Sequence, residues 1–217
     1  MTRAELRELV SQWVDDTENG YFTTATVNTF LNNALYEVQK RLILAGENFY
    51  IKCATTPSVA DQQEYELPND FWGVRRLRLI TQGSGATATK VELMPVSMGQ
   101  EIMFGKTGTP QGYYLKKDRL VLCPIPNSSN LTIEMDYAYQ IATMTSDSDT
   151  PDVPTHFQEY VAILAAYNCF IKDDRVPSIL QTKKEEYEKM LDDAAESRVM
   201  SKARTVIVTP EGFFGNF

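Results

Sequence analysis

Gly105, Lys106 and Thr107, within the stretch FGKTGTPQG from Phe104 to Gly112, reproduce the last three positions of a phosphate-binding loop. Such a loop needs a glycine five positions before its Gly-Lys pair, so that backbone N–H groups wrap the phosphates, and a helix whose N-terminus then faces them. Position 100 is Gln100, Gly99 is one residue out of register, and Pro110 biases Thr109 away from helical angles. The stretch therefore predicts a Gly/Pro turn leading into a strand at Tyr113.

Other residues capable of chemistry are similarly isolated. His156 is the only histidine, follows Pro154 and Thr155 at a helix start, and has no GxSxG nucleophile elbow to serve. A helix N-terminus disfavours the protonated ring, so a solvated or capping histidine is expected. Asp15 to Gly20, DDTENG, imitates a calcium loop, but the third and twelfth positions are Thr17 and Thr26, where acidic ligands are required. It reads as a helix-ending turn. Asp147, Asp149 and Asp152 could supply oxygen ligands and are read instead as a solvated loop. Paired carboxylates for sugar hydrolysis are always available among 29 acidic residues, and sequence gives no separation between them. Arg75, Arg76 and Arg78 with Lys116, Lys117 and Arg119 form the best nucleic-acid candidate, with Tyr113 and Tyr114 as stacking faces. The alternation in VRRLRLI, however, sets Leu77 and Leu79 on one face and Arg76 and Arg78 on the other, as in an ordinary half-buried strand. No catalytic residue, metal site or cofactor is assigned.

The residues at 205–217, TVIVTPEGFFGNF, carry Val206, Ile207, Val208, Phe213, Phe214 and Phe217. Two readings stay open: an extended segment that adds a strand to another subunit, or one that folds back on its own sheet.

The elements that must position these residues follow from periodicity. Thr2 caps a helix with Leu6, Leu9, Val10 and Trp13 on one face. Thr24 or Thr26 caps a longer one, striped by Val27, Phe30, Leu31, Ala34, Leu35, Val38, Leu42 and Ala45, with Gly46 as its stop. From Phe49 the period shortens to that of strands: FYIKCATTP, QEYELP, VRRLRLI, KVELMP, GYYLKK, RLVLCPIP and LTIEMDYAY, separated by turn residues. Ser97 caps a short helix ending in Ile102, Met103 and Phe104. TQGSGATAT is a polar hairpin tip containing Gln82, Gly83, Ser84, Gly85 and Thr87. Helical spacing returns with Phe157, Tyr160, Val161, Leu164, Ala165, Asn168, Cys169 and Ile171. A last helix begins at Pro177 and carries Ile179, Leu180, Tyr187, Met190, Leu191, Ala194 and Ala195. The expected class is α+β: a helical layer from both chain ends (residues 1–48 and 153–204), an inserted antiparallel β-rich domain (49–144) and an extended C-terminal tail (205–217).

The 217 residues are 43% hydrophobic, enough for a core, and carry a formal charge of −8. That sign argues against gripping nucleic acid by counterion release. Cys53, Cys123 and Cys169 fit neither a disulfide framework nor a zinc knuckle, which points to synthesis in a reducing cytoplasm. With no signal-type segment and no run of about 20 apolar residues, a soluble chain without a membrane partner is expected.

Several co-ordered pieces resemble the head-to-tail adaptor, or connector, proteins of short-tailed bacteriophages, the tail-tubular-protein-A-like group. They are YELPNDF (Tyr65–Phe71), VELMPVS (Val91–Ser97), GTPQGYYL (Gly108–Leu115), LVLCPIP (Leu120–Pro126), IEMDYAY (Ile133–Tyr139) and DVPTHFQEYVAILAAY (Asp152–Tyr167). The resemblance implies a structural virion protein at the portal vertex, not an enzyme. It implies a dodecameric ring joining the portal protein to the tail tube or nozzle, with its helical layer toward the portal and its β domain toward the nozzle. Double-stranded DNA would pass through without specific binding. On this reading 205–217 docks to the portal or a neighbouring subunit, Gln82 to Thr87 meets the nozzle, and Arg76, Arg78, Lys116 and Lys117 face the channel or solvent. A tail-associated cell-wall glycosidase and a monomeric β-rich binding module are the other functions the residues leave open.

Overall fold

A computed structural model describes residues 1–16, 20–45, 49–82, 87–129, 131–172 and 176–200. The chain divides into two compact units, one formed by Met1–Glu47 and the chain from Thr143 onward, the other by Asn48–Ala142. Helices and mostly antiparallel sheets make it an α+β protein, as the sequence predicts.

In the first unit, α1 (Arg3–Trp13) starts with a capping box: Thr2 Oγ1 accepts from Glu5 N, and the Glu5 carboxylate accepts from Thr2 N. These bonds occupy two donors that a helix start otherwise leaves unpaired. For α2 (Thr24–Ala45) the cap is Thr23, not Thr24 or Thr26, because Thr23 Oγ1 accepts from Thr26 N. Its stripe is buried at Val27, Leu31, Ala34, Leu35, Val38 and Leu42; Gly46 lies outside the described residues. After a single 3-10 turn at Thr155–Phe157 comes α3 (Gln158–Lys172), which α1, α2 and α4 all contact. That central position explains why Tyr160 to Ala166 are buried without a polar face. Ile171 departs from the predicted stripe and is exposed at the helix end. In α4 (Ser178–Met200) Leu180 and Leu191 are buried, whereas Ile179 and Met190, expected on the packed face, are exposed. Each fully buried leucine contributes about 1.5–3 kcal/mol relative to exposure.

The second unit is two sheets around one core. The first has the order β1 (Ile51–Pro57), β10 (Thr132–Tyr139), β3 (Phe71–Gln82), β4 (Thr89–Glu92), antiparallel throughout. The second runs β2 (Glu64–Glu66), β8 (Arg119–Cys123), β7 (Gly112–Lys116), β5 (Met94–Pro95), the last pair parallel. A further parallel pair joins β6 (Thr107–Gly108) to β9 (Ile125–Pro126). Tyr65, Leu77, Leu79, Leu120, Leu122 and Met135 are among the core residues, one from each inward position of alternating strands. The predicted strand KVELMP is two: β4 belongs to the first sheet, β5 to the second, and buried Leu93 turns the corner between them. The segment expected as a short helix after Ser97 is a 3-10 stretch, Met98–Phe104, ended by Gly105 at φ 76.

Candidate functional site

The GKT stretch holds no phosphate cradle. Lys106 and Thr107 are exposed, Thr107–Gly108 pairs with Ile125–Pro126, and β7 starts at Gly112 with no helix after the glycines. Gly112 is required there by space: an added Cβ would lie 3.0 Å from Val96 Cγ1 and 3.2 Å from the Met94 carbonyl oxygen.

The basic cluster of the sequence splits into two places. Arg76 and Arg78 lie on the outer face of the first sheet, opposite Asp136 and Glu134 of β10. Asp136 accepts from Arg76 Nε at 3.2 Å and Arg78 Nη2 at 2.9 Å. Glu134, only 8% exposed, pairs with Arg78 and accepts from Lys90 Nζ at 3.0 and 2.8 Å. Three cations thus flank two carboxylates in a partly buried ladder, and little of their charge is left to attract phosphate. Lys116 and Lys117 are on the β7–β8 hairpin, where Lys116 Nζ is 2.9 Å from Glu64 and neighbouring Arg119 reaches Glu66 at 3.2 Å. Tyr113 packs on the sandwich core, and half-buried Tyr114 donates its hydroxyl hydrogen to Glu101 at 2.9 Å. Glu134 and Asp136 escaped the sequence reading. The signal was present, since alternation in TIEMDYAY puts both carboxylates on the face opposite Ile133, Met135 and Tyr137.

Burial raises all three thiols above the ordinary range, with Asp136 adding to the effect at Cys53, and takes Cys169 to about 11. An activated nucleophile needs the opposite shift. His156 is exposed in the 3-10 turn before α3, its ring 4.1 Å from that of Phe157. Among the described residues no group of three or more His, Cys, Asp or Glu is placed to hold a metal ion, and no helix is long and apolar enough to cross a membrane.

The loop of Asp147 and Asp149 is largely exposed, as a solvated loop should be, and its carboxylates also tie it down. Asp147 accepts from Arg3 Nη2 at 2.7 Å and from Arg7 at 2.9 and 3.1 Å, while the Arg3 and Ala4 N–H groups donate to the Asp149 and Asp147 carbonyl oxygens. Asp149 closes the loop on itself through Thr145 N and Ser146 N, both at 2.7 Å. The loop is thereby fastened to the start of α1. Asp16 similarly accepts from the N–H groups of Gly20, Tyr21 and Phe22 and organises the turn after α1.

Among the described residues, two surfaces of the β unit stand out as lacking such internal use. The 3-10 stretch Met98–Phe104 presents Ile102 and Met103, 84% and 81% exposed, next to exposed Met98. The outer edge of β1 is exposed along nearly its whole length. Of the hairpin-tip residues, Gln82 ends β3 and Thr87 is exposed; Gly83, Ser84 and Gly85 lie outside the described residues. So do Val206, Ile207, Val208, Phe213, Phe214 and Phe217.

A family model described as SU10 adaptor protein matches residues 1–209, nearly the whole chain. The chain belongs to that family and is a phage structural adaptor. No curated protein matches it.

Proposed function

We propose that this SU10 adaptor family member is a ring subunit at the head-to-tail junction of a tailed phage, a short-tailed one by its resemblance to tail-tubular-protein-A-like connectors. The family match over residues 1–209 carries the reading. The ring, a dodecamer in the resembling group, stacks on the portal protein, receives the tail tube or nozzle, and surrounds the path of double-stranded DNA in the virion, after synthesis in the host cytoplasm. Its role is geometric and not catalytic. Two observations support the channel part: the net charge of −8, and the internal pairing of Arg76, Arg78 and Lys116 with carboxylates. A wall of that kind lets phosphates pass, whereas a dense unpaired basic surface would retain them. Within the reading, residues 1–48 and 153–204 form the portal-facing helical domain, 49–144 the nozzle-facing β domain, Gln82 to Thr87 a nozzle contact and 205–217 a docking tail.

Phage particles assembled without this chain provide the test. Heads that package DNA but carry no tail, and release the DNA, are the expected product. Normally tailed, infectious particles would remove the adaptor role.

A further inference from the structure

Among the described residues the sandwich is open along one side, where the edge strands β1 and β2 of its two sheets line the same cavity. Tyr139 N donates to the Tyr50 oxygen and Ser58 N to the Leu131 oxygen, and no register shift interrupts β1 between them. In an antiparallel ladder only alternate residues bond across, so Ile51, Cys53 and Thr55 turn N–H and C=O outward, and Pro57 only its C=O. Beneath this edge lies a cavity of about 250 Å³ lined by Ala54, Thr56, Tyr65, Leu67, Leu120 and Met135 among others. Thr56 shares the inward face with half-buried Ala54 yet is exposed, because no described residue closes that side. An unpaired edge beside an unfilled apolar gap is the receptor half of a strand addition: main-chain bonds supply affinity, and alternate side chains fill the gap.

We propose that the β1 edge receives residues Thr205–Pro210 of a second copy of this chain. Residues 201–217 follow α4, and within them TVIVT is five consecutive strand-favouring residues stopped by Pro210. Its alternation matches the receptor: one of the two sets, Ile207 or the pair Val206 and Val208, points into the cavity while the other lies on the outer face beside Cys53. Having a second copy as the source rests on the ring reading; the site itself does not.

Cys53 allows a trap in the full-length chain, since it is exposed on the edge strand and its pairing with Asp136 puts it on the outer face. Val206→Cys, Ile207→Cys and Val208→Cys would be oxidised in turn at alkaline pH with an added thiol oxidant, with Cys53→Ser as control, in fractions of known native mass with and without portal rings. The expected result is an intermolecular disulfide from 206 and 208 or from 207, but not from both sets. Thr55→Pro should abolish it, because it removes an outward donor and leaves the inner ladder intact. Rings or portal-bound assemblies that give no disulfide, or equal yield at all three positions, overturn the site while leaving the ring. A disulfide within one chain overturns the second copy as source, and a chain that is monomeric even with portal overturns the second copy together with the ring; a monomer that gives no disulfide at any of the three positions overturns the site as well.

Discussion

Asp147 is the residue on which the loop before α3 and the start of α1 both depend. The hydrogen bonds from Arg7 and then Arg3 hold its carboxyl well below the usual carboxylate range. A group whose folded pKa is depressed contributes fully above its unfolded value, about 3.9, and loses that contribution progressively as pH falls from there through the lower folded value. Asp147→Asn should therefore lower the melting temperature by the same margin at pH 7 and pH 5, with the margin shrinking only in stronger acid. Thermal scans at descending pH check this, and a margin already closing between pH 7 and 5 would contradict it. Arg78 illustrates the same economy on the β unit, serving Glu134 and Asp136 at once.

At the scale of elements, the four helices were legible because each has a long stripe at the 3.6 period, and Thr2, Pro177 and the acidic loop punctuate them. The strands were legible by alternation, as in VRRLRLI, where Leu77 and Leu79 do face the core. Strand partners were not legible: a two-residue piece such as Met94–Pro95 carries no period, so neither the break at Leu93 nor its parallel pairing to Gly112–Tyr113 leaves a mark in the sequence. Exposed Ile179 and Met190 show the other limit, since a helix contacting its neighbours along a narrow strip leaves apolar positions outside it. Of the candidate sites, the basic residues were visible but their neutralisation was not, as it depends on the β3–β10 register. The open edge at β1 was equally hidden, being a property of sheet order. Gly112 tests the β7 account directly. Gly112→Ala must push Val96 and the Met94 carbonyl away from β7 and should cost about 1–3 kcal/mol in a denaturant titration, the usual range for overpacking. Unchanged stability would mean that β5 and the 3-10 stretch are not held against it.

For the whole molecule, the two units leave different tasks unfilled. The helical unit packs around α3 with its loop and caps paired internally, while Leu44, Ile171, Ile179 and Met190 stay exposed on its surface. The β unit ends in an unpaired edge and carries exposed apolar residues on the Met98–Phe104 stretch. Heterologous contacts of this kind, one surface meeting a different surface on the next copy, generate rings when the rotation closes. The ring proposed for this adaptor needs such closure, whereas an enzyme or a monomeric module does not. The most direct measurement is the native mass of the purified chain, alone and mixed with phage portal rings, by light scattering with particle images of the same fractions. A closed ring, formed alone or upon the portal and stacked on it, is the expected result. A monomer that stays monomeric and ignores every portal ring would contradict it.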